Sequence, residues 1–226
     1  MGYSLSWVAI KGRSYEVIHR LLGFNKTGRY GSYDEYRVVG RTLKDGWYIV
    51  IANRCDSLIT KSKVLASLSK DCEVVTCSIE EHVMFSSCAF WKRGKKMWSV
   101  EHRGEEGALN IVRTGKVPKS YAAIEADLID AQKAEGGESA NVDHVFDLPL
   151  VLAKQTVGFR HDEDSEPPGA AYEILEFNYR HRLGLTIRKV LPWLYFLGIL
   201  VLPGVAMIAA VGFGRRLILW ILKLLK

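Results

Sequence analysis

Short runs that alternate apolar and polar residues, or that are apolar throughout, fill the first half of the chain and predict β-strands. The predicted strands span residues 4–10, 38–43, 47–52, 73–79, 81–91, 96–102 and 109–112. Residues 47–52 contain almost no polar side chain, so we expect a central strand that is covered on both faces. No strand is expected after Gly115.

Two pairs of these strands are predicted to form antiparallel hairpins. Asp45-Gly46 lies between two β-rich runs, which is a strong hairpin signal. Residues 92–95 connect the second pair. Trp91 and Trp98 flank that turn, and we expect their rings to pair across the hairpin.

Four helices are predicted from apolar residues spaced by three or four positions. The first follows Ser14, a suitable N-cap, and ends at Gly23, where a left-handed residue belongs. Thr60 and Asp147 are predicted to cap the second and the fourth helix, and Pro118 is predicted to open the third. The predicted fold is therefore α+β, with a mainly antiparallel sheet of six or seven strands covered by about four helices.

Residues 25–37 are polar and contain glycine, so they are predicted to form a surface loop. Tyr30, Tyr33 and Tyr36 recur in it at intervals of three residues. Tyrosine supplies contact area at low entropic cost, so these side chains are candidates for binding a protein partner. The alternative is that their rings pack on the domain's own sheet.

Residues 190–213 form an apolar run without a charged side chain. As a helix this run would extend ~36 Å, which exceeds the ~30 Å hydrocarbon core of a bilayer. It is therefore predicted to be a transmembrane helix that anchors the protein. Pro203-Gly204 in its middle leaves two routes open, a kinked spanning helix or a re-entrant hairpin.

The residues that follow, 214–226, are predicted to form a basic amphipathic helix in the membrane interface. At about 100° per residue, their four bases fall in one sector, and Trp220 lies on the opposite, apolar side. The bases would contact anionic lipid headgroups. The residues assigned to the membrane are Trp193, Pro203, Gly204, Arg215, Arg216, Trp220, Lys223 and Lys226.

Two further segments separate the predicted domain from the anchor. Residues 1–159 are expected to form the soluble domain, 160–171 an acidic linker with two prolines, and 172–189 a basic juxtamembrane element. The chain begins without the basic start and long apolar region of a secretory signal. We therefore expect a single-pass membrane protein whose domain lies in the cytoplasm.

The net charge of +6 belongs to the C-terminal region rather than to the domain. Six of the 31 Lys and Arg residues lie beyond residue 183, where no acid occurs, and the remaining 25 balance the 25 acids. A neutral domain lacks the electrostatic footprint of a nucleic-acid-binding protein. No nucleic acid partner is predicted, whereas a bilayer with anionic headgroups is.

The densest group of candidate catalytic residues contains Glu80, Glu81 and His82 on one predicted strand and Glu101 and His102 on another. A carboxylate beside a histidine can perform acid–base chemistry or bind a metal. Only alternate residues of a strand share a face, so at most some of these side chains should converge. The alternative is that they are exposed polar residues without a catalytic role.

Asp56 and Cys55 follow the central strand and are further candidates, the cysteine as a nucleophile. The four cysteines include no CxxC pair, so no zinc site is predicted. The chain also lacks a P-loop, a GxGxxG motif and a GxSxG motif, so no cofactor is predicted.

Two functional hypotheses follow. The first is a membrane-anchored, non-catalytic binding module that captures or inhibits a protein partner, since a flexible tether raises effective concentration at the membrane. A bacterial immunity protein against a delivered toxin, or a defence protein, would have this layout. The alternative is a membrane-bound hydrolase or transferase that uses Glu80, His82, His102 or Asp56.

Overall fold

The apolar run at residues 47–52 is a central strand, as its composition predicts. In the computed structural model, which describes residues 2–163 and 172–178, every residue of Trp47–Ala52 is buried. An antiparallel neighbour lies on each side of it. The predicted hairpin at Asp45-Gly46 is confirmed, and both residues adopt the left-handed conformation, with φ 59° and 77°.

Nine strands form one sheet in the described part of the chain. They are β1 (Ser4–Lys11), β2 (Phe24–Gly31), β3 (Val38–Thr42), β4 (Trp47–Ala52), β5 (Glu73–Glu80), β6 (Phe85–Lys92), β7 (Lys95–Arg103), β8 (Ile111–Gly115) and β9 (Tyr172–Phe177). Their order across the sheet is β2-β9-β3-β4-β1-β5-β6-β7-β8, and every neighbouring pair is antiparallel. The α+β class and the antiparallel sheet are confirmed, but the predicted number of strands is too low.

Four α-helices cover the two faces of the sheet. They are α1 (Tyr15–Leu22), α2 (Ser62–Leu68), α3 (Tyr121–Ala134) and α4 (Asp147–Val157). Helices α1 and α2 share a core with Val8 and Val50, and α3 and α4 pack on the side of Trp7 and Ile49. Because neighbouring residues of a strand point to opposite faces, β1 and β4 are buried on both sides.

The ends of the helices are predicted better than their starts. Gly23 ends α1 in the left-handed conformation, with φ 76° and ψ 40°, where the lack of a Cβ removes a steric clash. The start of α1 directly after Ser14 is as predicted, whereas the other three starts differ from prediction. Helix α2 begins at Ser62, α3 begins at Tyr121 after a turn from Pro118, and Asp147 is the first residue of α4 rather than its cap.

The structure contains two strands that the sequence pattern does not predict. Residues 24–31, predicted mostly as a loop, form β2, and residues 172–177, predicted as part of a juxtamembrane element, form β9. Strand β9 lies between β2 and β3. This pairing joins distant parts of the chain, since Thr27 donates a hydrogen bond to the carbonyl of Ile174, 147 positions away. A local pattern carries no information about such a partner, and the polar sequence of β2 suits an edge strand.

Residues 81–83 form a single helical turn rather than the start of a strand. Strand β5 ends at Glu80 and β6 begins at Phe85, and Met84 between them is in the left-handed region with φ 49°. His82 therefore does not share a strand face with Glu80. The predicted start of the second hairpin is wrong by four residues.

Trp91 and Trp98 lie on opposite faces of the sheet, so the predicted ring pair across the hairpin is wrong. A register shift between Phe90 and Trp91 places Phe90 opposite Trp98. The rings of Phe90 and Trp98 stack with their centroids 6.2 Å apart. Trp91 instead belongs to the core beneath α1 and α2.

The compact unit extends to Phe177, whereas the sequence placed the end of the domain at Phe159. Tyr172, Ile174 and Leu175 of β9 are buried. Within residues 2–163 and 172–178, no helix is long and apolar enough to cross a bilayer. The apolar run 190–213, the interfacial helix 214–226 and most of the predicted linker lie outside the described residues.

A fragment that ends at residue 159 should fail to fold, whereas one that ends at residue 178 should fold. Without β9, strands β2 and β3 lose a hydrogen-bonding neighbour and three buried side chains leave the core. The longer fragment should show a cooperative urea transition, and the shorter one should aggregate or show none. A shorter fragment that unfolds cooperatively at the same urea concentration would contradict the position of β9.

Candidate functional site

The polar side chains of the sheet concentrate at its two ends. At the end where β1 begins and β5 finishes, here called the Glu80 end, lie the candidate catalytic residues. At the opposite end β1 finishes and β6 turns into β7, and we call it the Lys92 end. The chain also leaves the sheet at the Glu80 end, since β9 runs in the same direction as β4 and β5.

Glu80 bonds to two side chains through its two carboxylate oxygens. The Ser4 hydroxyl donates to Oε2 at 2.5 Å, and Nδ1 of His82 lies 2.8 Å from Oε1. The hydrogen bond from Ser4, with a smaller contribution from His82, lowers the pKa of Glu80. Glu80 is therefore an ionised carboxylate at neutral pH.

This arrangement differs from a catalytic serine–histidine–acid group in the order of its members. In such a group the imidazole lies between the hydroxyl and the carboxylate and takes the hydroxyl proton. Here Glu80 lies between Ser4 and His82. The Ser4 hydroxyl donates to a carboxylate and has no imidazole to activate it, while the His82 side chain is 66% exposed.

His102 lies fully buried in β7 and uses both ring nitrogens in structural bonds. Its Nδ1 is 2.8 Å from the carbonyl oxygen of Asn110, and its Nε2 is 2.9 Å from Oδ2 of Asp143. A carbonyl oxygen only accepts, so Nδ1 donates the first of these two bonds. Asp143 also accepts the backbone N–H of Phe146 at 3.1 Å, just before α4. The histidine thus fastens β7 to the start of α4.

Glu81 is bonded to the beginning of the chain and lies near the segment after α4. Its Oε2 accepts the backbone N–H of Tyr3 at 2.8 Å, and its Oε1 lies 3.6 Å from Nε2 of His161. Burial lowers the pKa of His161, although Asp162 and Glu81 oppose this effect. The imidazole is therefore neutral at pH 7, and its ring meets that of Tyr3 edge-on.

Cys55 and Asp56 are poorly suited to chemistry. Burial raises the pKa of the Cys55 thiol to about 11, and the nearby Glu80 charge adds to this effect. The thiol keeps its proton at neutral pH, and the thiol is a far weaker nucleophile than the thiolate. Asp56 forms an ion pair with Lys61, which lowers the pKa of its carboxyl group.

The structure therefore divides the predicted catalytic group into separate contacts. Glu101 pairs with Arg103 at 2.5 Å, on the strand that carries His102. In residues 2–163 and 172–178, no hydrogen bond or ion pair joins His102 to Glu80 or His82. Nor does any group of three His, Cys, Asp or Glu side chains in these ranges fit a metal ion.

The three tyrosines do not form a common surface. Tyr30 on β2 is 62% exposed, whereas Tyr33 and Tyr36 pack partly against the core on the α3–α4 face. The Tyr33 hydroxyl donates to the carbonyl of His161 at 2.7 Å. The ring of Tyr36 lies so close to Gly31 that a Cβ there would be 2.2 Å from it. The alternative that rings pack on the domain's own sheet holds for two of the three.

An open cleft of about 450 Å³ lies at the Lys92 end of the sheet. The end of β1, the connection from α2 to β5 and the end of β6 form its walls. The lining residues are Lys11, Gly12, Lys70, Asp71, Cys72, Glu73, Lys92 and Arg93. Its volume lies within the roughly 300–1,000 Å³ of ligand sites, so this end of the sheet can receive a ligand or part of a partner.

The turn between β6 and β7 places Arg93 at the cleft. Arg93 and Gly94 have φ 54° and 73°, the pair of left-handed conformations typical of a two-residue hairpin turn. Gly94 donates its backbone N–H to the carbonyl of Ser69 at 3.1 Å. This bond holds the turn against the end of α2, so Arg93 and Lys70 line the same cleft.

The cleft carries an excess of positive charge. Asp71 is paired with Arg13, and Glu73 accepts a hydrogen bond from Nζ of Lys92 at 2.6 Å. The other three bases, Lys11, Lys70 and Arg93, form no ion pair within the described ranges. Two carboxylates are therefore neutralised and three cations remain.

Sequence reasoning missed this cleft because its bases come from distant parts of the chain. The basic residues in the run 92–95 are the available local signal, and that run predicts only a turn. Comparison with known proteins provides no template, since no protein-family model, no curated protein and no solved structure matches the chain. The cleft is thus defined by its geometry and charge.

Replacing Asp143 with asparagine should lower the free energy of unfolding by about 2 to 3 kcal/mol. The change leaves the buried His102 without its carboxylate partner. The matched substitution His82→Gln, at an exposed histidine with a carboxylate contact, should change stability by less than about 0.5 kcal/mol. Urea denaturation measures both. Equal effects of the two substitutions would contradict a structural role for His102.

Proposed function

We propose that this protein is a membrane-anchored, non-catalytic binding module that holds a protein partner at the bilayer. The proposal rests on the hydrogen bonding and protonation of the candidate catalytic side chains. His102 has both nitrogens bonded inside the fold, Cys55 retains its proton, and the Ser4 hydroxyl is bonded to a carboxylate. Side chains bonded in this way stabilise the fold and have little capacity left to react with a substrate.

The membrane part of the proposal rests on the sequence. The apolar run 190–213 would anchor the chain, and the basic helix 214–226 would bind anionic headgroups in the interface. The domain would face the cytoplasm. Tethering confines the domain to the bilayer surface, which raises its effective concentration for a partner that arrives there. An immunity or defence protein that intercepts a toxin at a bacterial membrane is the role we propose for it.

One observation favours the alternative of a membrane-bound hydrolase or transferase. His82 is exposed and contacts an ionised carboxylate, so its imidazole could serve as a general base. This pair has no activated nucleophile beside it in the described residues, because the Ser4 hydroxyl donates to Glu80 and the Cys55 thiol is protonated. A binding module therefore accounts for more of the observed contacts.

Recovery of the protein from its native membranes tests this proposal. We expect the full chain to remain in membranes washed with high salt and to co-purify there with a protein partner in stoichiometric amount. The double variant Glu80→Gln/His82→Gln should retain that partner, because the proposal gives these side chains no role in binding. The proposal fails if the chain washes off with salt, if no partner accompanies it, or if it turns over a substrate and the double variant does not.

A further inference from the structure

We infer that the cleft at the Lys92 end receives an acidic segment of the protein partner, an extended stretch rich in Asp and Glu. This inference rests on the proposed function, because it assigns the partner a place on the domain. Lys11, Lys70 and Arg93 supply the charges that recognise the segment. Carboxylates of the partner would complete their ion pairs, as Asp71 does for Arg13 and Glu73 for Lys92.

The positive surface continues past the cleft along β7. Lys95 and Lys96 are exposed, and the next side chain, Met97, is 47% exposed. Because neighbouring residues of a strand point to opposite faces, Lys95 and Lys96 place positive charge on both sides of the β6–β7 turn that carries Arg93. Bases spread over several residues suit a segment with several carboxylates better than they suit one compact anion.

The composition of the lining argues against other anionic macromolecules. Proteins that bind single-stranded nucleic acid stack bases on aromatic rings, and the cleft is lined by none. Surfaces that enter a bilayer insert several large apolar side chains beside their bases, whereas the cleft lining contains none and Met97 lies exposed beyond it.

The three bases remain accessible for a partner. Lys11, Lys70 and Arg93 are all exposed, and the domain as a whole is close to neutral, so the partner meets a local positive region rather than a uniformly basic protein. Exposed charges of this kind mainly raise the association rate and the specificity of a complex. Binding should therefore weaken steeply with added salt.

A labelled decaglutamate peptide is the probe for this inference. Its binding to the full chain in a neutral detergent is followed by fluorescence anisotropy at low salt. The double variant Lys70→Gln/Arg93→Gln should bind roughly tenfold more weakly than the unmodified chain. The control Lys119→Gln/Lys133→Gln removes two exposed lysines on and beside α3 and so changes net charge equally. The control should bind within about twofold of the unmodified chain.

Three results would overturn the inference. They are absence of peptide binding, equal weakening in both double variants, and tighter binding of an oligonucleotide or of anionic lipid vesicles through Lys70 and Arg93. Urea midpoints of both variants confirm that they are folded. If the partner in native membranes is retained equally by both double variants, the cleft assignment fails while the proposed function stands. If no partner is found, the proposed function fails by its own test.

Discussion

Strands β1 and β4 carry apolar side chains on both faces, and neither face can remain in contact with water. Trp7 and Ile49 point to one side, and Val8 and Val50 point to the other, all with 1% exposure or less. Each face therefore needs its own helical layer, which α1 with α2 and α3 with α4 provide. The first two helices of the chain close one face, and the last two close the other.

Two-sided burial also decides where functional groups can lie. With both faces covered, polar and charged side chains collect at the ends of the strands, outside the layers. At one end they bond to each other, as Ser4, Glu80 and His82 do, and fasten neighbouring segments together. At the other end the two acids of the cleft are paired within the domain while three bases remain without ion pairs in the described residues. The second end is therefore the better candidate for contact with a partner.

The sequence pattern correctly predicted those features that depend only on residues close together in the chain. The composition of residues 47–52 indicated a central strand, because apolar side chains favour burial. Gly23 marked a helix end, because glycine favours the left-handed conformation found there. The position of β9 and the Asp143 partner of His102 depend on contacts between distant residues, so neither could be read from a pattern. The cleft was missed for the same reason, since Lys11, Lys70 and Arg93 meet only after three strands and a helix have assembled.

Native-state hydrogen exchange of the full chain tests most directly whether two-sided burial stabilises the structure. Strands β1 and β4, bonded on both edges and covered on both faces, should contain the slowest amides, which open only when the whole domain unfolds. Amides of the edge strands β2 and β8 should exchange faster. The slowest exchange in the β6–β7 hairpin, with faster exchange in β1 and β4, would contradict the account.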